Sequence, residues 1–325
     1  IGVGMLLGQI ILGGITRLTG SGLSITEWKA ILGFLPPLNE QDWNLAFIKY
    51  QQFGQYKLVN TSMNVAEFKW IFFWEWFHRL WARLIAVAAI LPLIYFIIKK
   101  IVFKEDIYKI LIAIALGAVA GTVGWIMVQS GLKENTVLVN PVNLMSHILV
   151  ATIIVAYVLH VGLEYLYPKQ HLSFDKKNRI LFLVLIILVF VQIGLGALVA
   201  GSKAALVCTT FPLMNGQYFP NLFGIYENDV NLVLQFLHRN VAYFIFFYVI
   251  LLFFKTKNVS AQFQFHRTRW LLLSMVLLQV VLGVLTLIYS QGKVPVILGV
   301  CHQLGAFLLL IFSIEGHYFI KYRAK

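Results

Sequence analysis

Apolar residues along this chain gather into long runs separated by short polar stretches. At 1.5 Å of helix per residue, a hydrocarbon core of roughly 30 Å needs about 20 residues. Runs of that order occupy 68–98, 107–128, 142–167, 180–200, 230–254, 270–289 and 295–320. An eighth run, 1–15, would span only about 22 Å, so the chain is expected to begin inside its first span, with any targeting segment lying upstream. The pattern predicts an all-α membrane protein with eight transmembrane helices. The long interruption at 17–67 mixes both charge signs and reads as a loop.

Composition agrees with the pattern. Of the 325 residues, 60% are hydrophobic and only 12% charged, and the mean hydropathy is +0.81, which excludes a soluble globular domain. The net charge of +13 is topological and implies no nucleic-acid partner. Lys99, Lys100, Lys104 and Lys109, then Lys169, Lys176, Lys177 and Arg179, then Lys255, Lys257, Arg267 and Arg269, and finally Lys321, Arg323 and Lys325 follow the second, fourth, sixth and eighth spans. The three short connections on the other side hold one lysine each, Lys133, Lys203 and Lys293. The positive-inside rule then puts both termini in the cytoplasm. Cys208 and Cys301 are far apart in sequence, so two free thiols are expected rather than a disulfide or a cysteine metal site.

The two halves repeat. Gln9 and Gly13 match Gln192 and Gly196, His78-Arg79 matches His238-Arg239, Gly124 matches Gly283, and His147 with Ala151 matches His302 with Ala306. Four helices per half is an even number, so the halves should repeat in parallel about an axis along the membrane normal. The chain is read as two pseudo-repeated four-helix bundles, 1–167 and 168–325.

Ionisable residues within such spans are costly and suggest function. His78, His147, His238 and His302 each lie roughly 9 to 15 Å below the outer surface of an even-numbered span. A single histidine in an apolar segment is more often hydrogen-bonded packing than a ligand, but four at one depth, recurring through a repeat, suit the clamping of a planar macrocycle between facing helices. A tetrahedral zinc site would need all four to converge, which two bundles do not allow. His160 and His317 lie about 140° and 60° round the helix from His147 and His302, which disfavours a second haem layer. His171 and His266 fall in basic loops.

Three residues before the first repeated histidine stands Glu75; in the second half the same position is Gln235. Glutamine can hydrogen-bond but cannot exchange a proton near neutral pH, so the halves are expected to differ, one chemically active and one holding a cofactor. Glu75 would carry a proton or stabilise charge, or else serve as a structural partner of Arg79 or Arg83. Arg79 and Arg239 are candidates for haem propionates, as bidentate carboxylate partners, or for loop carbonyls. The stretches 17–28 and 203–216 are expected to cap the outer ends of the two bundles.

The strings GGITRLTGSGLSITEW at 13–28, PP at 36–37, YQQF at 50–53, EWFHR at 75–79, GWIMVQSGL at 124–132, FPLMNG at 211–216, QFLHR at 235–239 and HQ at 302–303 resemble those of the haem A synthases of proteobacteria and mitochondria, nearly end to end. The stretch 140–147 is less typical, and the cysteine pair that some Gram-positive relatives carry in the first outer loop is absent. The resemblance implies an oxidoreductase that converts a ring methyl of haem O to the formyl group of haem A for cytochrome oxidase. It implies haem b on His238 and His302, substrate haem O on His78 and His147, and Glu75 as the acidic residue of the substrate site. Implied partners are haem O synthase, cytochrome oxidase assembly factors, an electron donor and membrane lipid. The implied location is the bacterial inner membrane in preference to the mitochondrial one. The rival is a b-type cytochrome with the same bis-histidine clamps but no exchangeable haem; a third class is a haem carrier, which would need both pockets to release haem.

Overall fold

The computed structural model describes residues 1–28, 32–167, 176–220, 229–259 and 263–320. Lys169, His171, Lys321, Arg323 and Lys325 lie outside these. Among the described residues the chain is helical: α1 (Gly2–Leu18), α2 (Glu40–Gln51), α3 (Gly54–Leu58), α4 (Val65–Ile98), α5 (Lys104–Gly131), α6 (Pro141–Leu166), α7 (Lys176–Gly201), α8 (Asp229–Lys255), α9 (Phe263–Ile288) and α10 (Val296–Phe319), with short 3-10 turns at Leu32–Phe34 and Ala204–Leu206. Seven of these helices, α4 to α10, are long and apolar enough to cross a membrane; α1 is apolar but has only 17 residues.

The chain divides into two compact units, Ile1–Ala151 and Thr152–Lys325. The division falls inside α6 rather than after residue 167, because the far end of α6 is tied to α10. The Tyr318 hydroxyl donates to the Tyr167 carbonyl at 2.6 Å, and the His160 ring meets the Tyr318 ring edge-on at 6.1 Å.

In the second unit α10 packs on α9 and α7, and α8 packs on α7 and α9, which closes a four-helix ring. Lipid is as apolar as leucine, so close packing rather than the hydrophobic effect must hold such helices together. Two glycines on α10 allow it: a Cβ on Gly316 would strike the Phe182 ring of α7, and one on Gly305 would strike the Gln279 side chain of α9.

In the first unit α1 packs on α4, and α4 on α5 and α2. The 17–67 connection is not a bare loop but a folded layer over one end of α4. There α4 starts three residues before its apolar run, because Asn64 and Glu67 form a reciprocal capping box. The added turn belongs to an aromatic cluster in which Tyr50 stacks on Phe68 at 5.3 Å and Trp43 meets Phe72 edge-on at 5.0 Å. Asn60 donates to the buried Tyr50 hydroxyl at 2.7 Å. Each such aromatic pair contributes about 0.5–1.5 kcal/mol beyond area burial.

Candidate functional site

Each of the four mid-helix histidines faces a glycine on a neighbouring helix. A Cβ built on Gly13 would lie 3.1 Å from His78 Nε2; on Gly124, 2.9 Å from His147 Cε1; on Gly196, 3.1 Å from His238 Cε1; and on Gly283, 2.9 Å from His302 Cε1. Real Cβ atoms seldom approach so closely, so the missing side chain is what lets each ring come this near the neighbouring helix. The glycines sit on α1, α5, α7 and α9, the histidines on α4, α6, α8 and α10.

In the second unit the His238 and His302 rings face one another with centroids 6.3 Å apart and planes at 81°. Two imidazoles on opposite sides of one metal, each bonded at about 2 Å, would have ring centres about 6 Å apart. Gln192 and Gln279 each donate through Nε2 to the backbone carbonyl of the facing histidine at 2.8 Å. The Nδ1 atoms of both histidines are buried without a hydrogen-bond partner. A buried polar atom without a partner is expensive; the 6.3 Å separation of the rings is what suits a metal held between them. In the first unit His147 Nδ1 lies 3.1 Å from the Ala120 carbonyl. A histidine that gives its Nδ1 proton to a carbonyl keeps the Nε2 lone pair for a metal. In the second unit the two rings thus stand at a separation that suits a metal between them, and in the first the Ala120 contact orients His147 with one ring nitrogen left for a metal. Among the described residues no three His, Cys, Asp or Glu side chains gather as an ion site.

The residues flanking the histidines hold the connecting segments down. Glu75 is buried, 2% exposed. Its carboxylate accepts from the Ile25 backbone N–H at 2.7 Å, the Ser24 hydroxyl at 2.8 Å and Arg79 at 2.5 Å. Arg79 also donates to the carbonyls of Ile25 and Glu27 and lies over the Trp28 ring. In the second unit Gln235 donates to the Cys208 carbonyl at 2.8 Å, and Arg239 to the carbonyls of Cys208 and Thr210 at 3.0 and 2.9 Å. Of the two uses open to the arginines, the structure has them on loop carbonyls, and Glu75 is partnered by Arg79.

The same position thus carries a charged clamp in one unit and a neutral one in the other. The second unit has its own candidate anion: the Cys208 Sγ lies 3.8 Å from Arg239. Burial pushes this thiol up, but the Thr210 hydroxyl and backbone, the Arg239 guanidinium and the Asn215 backbone outweigh it and hold it below its ordinary value. Both cysteines are free, Cys208 buried and Cys301 exposed.

The other described histidines, His160, His266 and His317, are occupied elsewhere. His317 Nδ1 faces the Arg179 carbonyl at 3.1 Å and its Nε2 accepts from Arg179 at 3.3 Å. His160 lies 3.7 Å from Glu164, and the His266 ring packs beside Phe265. Sequence reasoning found the histidines and the matching glycines but did not join them. The signal was the equal recurrence of glycine and histidine in both halves.

Fold and site together define a polytopic helical protein that seats imidazoles on glycines of neighbouring helices. The family described as "Cytochrome oxidase assembly protein" (COX15-CtaA) matches residues 1–314, and the chain belongs to it. Proteins named Heme A synthase are similar over nearly the whole chain. That of Nitrosomonas eutropha is 40% identical over 315 residues, 94% of this chain and 87% of the relative. That of Bartonella tribocorum is 38% identical over 317 residues, 95% of this chain and 87% of the relative. That of Rickettsia felis is 36% identical over 328 residues, 98% of this chain and 95% of the relative.

Proposed function

We propose that this chain makes haem A, oxidising a ring methyl of haem O to a formyl group for cytochrome oxidase. The likeness to proteins named Heme A synthase over nearly the full length carries this reading, and the glycine-seated imidazoles support it. The reading has eight spans in two parallel four-helix halves, both termini in the cytoplasm and the bacterial inner membrane as the setting. The electron donor, haem O synthase and oxidase assembly factors remain its expected partners.

His238 and His302 would hold haem b, a reading supported by their 6.3 Å apposition. When bound, that haem supplies one-electron chemistry. His78 and His147 would hold haem O, each oriented by its glycine and His147 also by the Ala120 carbonyl. Glu75 stands three residues before His78, within one helical turn, and accepts from the Ser24 hydroxyl and the Ile25 backbone N–H. Its hydrogen bonds favour a role in closing the site and setting its charge. Arg79 and Arg239 would close the two halves and leave their remaining donor capacity for propionates.

Histidine variants test the division of labour. H238A should lose the resident b-type spectrum, whereas H78A should keep it and yield no haem A. Equal loss of haem b from both variants would overturn the assignment of the halves.

A further inference from the structure

Five aromatic side chains on α4, Trp70, Phe73, Trp74, Phe77 and Trp81, fall at i, i+3, i+4, i+7 and i+11 and so share one helix face. Their rings form a continuous run. Trp70 stacks on Phe73 at 6.4 Å and Phe73 on Phe77 at 5.8 Å; Trp74 meets Trp70 and Phe73 edge-on, and Phe77 meets Trp81 edge-on at 6.2 Å. The run covers about 16 Å of helix and passes the level of His78. Trp70 is 61% exposed and Phe73 41%. At its far end the Trp81 indole N–H donates to the Met5 carbonyl at 2.8 Å, and its ring lies 3.2 Å from where a Cβ on Gly8 would stand.

None of these rings recurs in the second half. Aligned through His238, the five positions are Val230, Val233, Leu234, Leu237 and Val241. Aligned through Gln192 and Gly196, the position of Gly8 is Val191, so the glycine that admits Trp81 has gone together with the ring it admits. Lipid exposure alone would accept valine and leucine in either half. An interfacial aromatic belt would stay at the helix end instead of running three turns into the span.

The two haems assigned to the halves differ in one large feature: haem O carries a long isoprenoid side chain where haem b has a short vinyl group. We propose that the α4 aromatic run seats the isoprenoid tail of haem O and so makes the first half selective for haem O over haem b. The inference rests on the assignment of that half to the substrate haem. Trp74 lies one helical turn before His78 and Trp81 one turn after it, so the run borders the place where the macrocycle would sit. Flat ring faces give large contact area to an apolar, alkene-bearing chain at little conformational cost, and an extended tail of this kind is of comparable length to the run.

The test replaces Trp74 and Phe77 by the residues of the second half, W74L and F77L singly and together, in the full-length protein. Haem O and tail-less haem b are titrated as probes, and the resident b-type spectrum reports an intact fold. The double variant should bind haem O about tenfold more weakly while haem b binding to the same half is unchanged, so that discrimination between the two collapses. Each single variant should show part of the effect, which keeps the test valid if the double variant fails to fold. Equal weakening of both probes, or no change in either, would overturn the proposal. Binding is read without turnover, so failure of the haem A reading would show separately, as wild-type protein that binds haem O and never converts it.

Discussion

A methyl group on Gly283 would press on the His302 ring and one on Gly196 on the His238 ring, at 2.9 and 3.1 Å. Overpacking of this kind costs about 1–3 kcal/mol, so G283A should lower haem b occupancy roughly tenfold while the helical circular dichroism stays unchanged. Full occupancy in G283A would show that the seat is slack. Around Glu75 the expected outcomes split by chemistry. E75A leaves the Arg79 guanidinium, 15% exposed in its side chain, without its ion partner, at a cost of about 3–5 kcal/mol for a broken buried pair. E75Q keeps the hydrogen-bonding shape and should cost less. Thermal unfolding of the two variants checks the order, and equal losses would mean that charge alone, not hydrogen-bonding shape, holds the 24–28 segment. Cys208 makes a prediction with a pH sign. Its folded-state pKa is depressed, so ionisation contributes stability at pH above the unfolded thiol pKa, and that stability is lost as pH falls through the folded value. The melting temperature of wild type relative to C208S should therefore rise toward alkaline pH and level off in acid; a flat difference would contradict a thiolate paired with Arg239.

At the scale of elements, α3 is pinned by Gly54, whose backbone N–H donates to the Lys133 carbonyl at 3.0 Å. A Cβ there would lie 2.5 Å from the Thr136 carbonyl oxygen, and the obstacle is backbone that cannot swing aside. G54A should detach the α2–α3 layer from the α5–α6 connection, seen as faster hydrogen exchange in both segments and unchanged exchange in α7–α10. The long helices were legible in the sequence because apolar runs of span length admit few other structures, and their ends were displaced by at most four residues, except the start of α9, which lies seven residues before its apolar run. The start of α4 was missed because it is set by a capping box that precedes the apolar run, at Asn64 and Glu67. The α2–α3 layer was missed because its ordering comes from rings such as Trp43 and Phe47 meeting α4, contacts that no local periodicity announces. The histidines were legible from their recurrence. The use of Arg79 and Arg239 was not, since a guanidinium serves carbonyls and carboxylates equally well.

Over the whole molecule, the two units share some features and differ in others. Glycine seats and loop-anchoring arginines recur in both units. The differences gather in the first unit: Glu75 where the second has Gln235, and the α4 rings where the second has aliphatic residues. Recurring features fit haem holding in general, and the differences fit a half that must select and change its haem. The central claim is tested most directly by expressing the protein with a source of haem O, purifying it, and extracting and chromatographing its haems. Haem b together with haem A, or with haem O passing to haem A over time, is the predicted result. Haem b alone at every stage would contradict the account and leave a b-type electron-transfer cytochrome in its place.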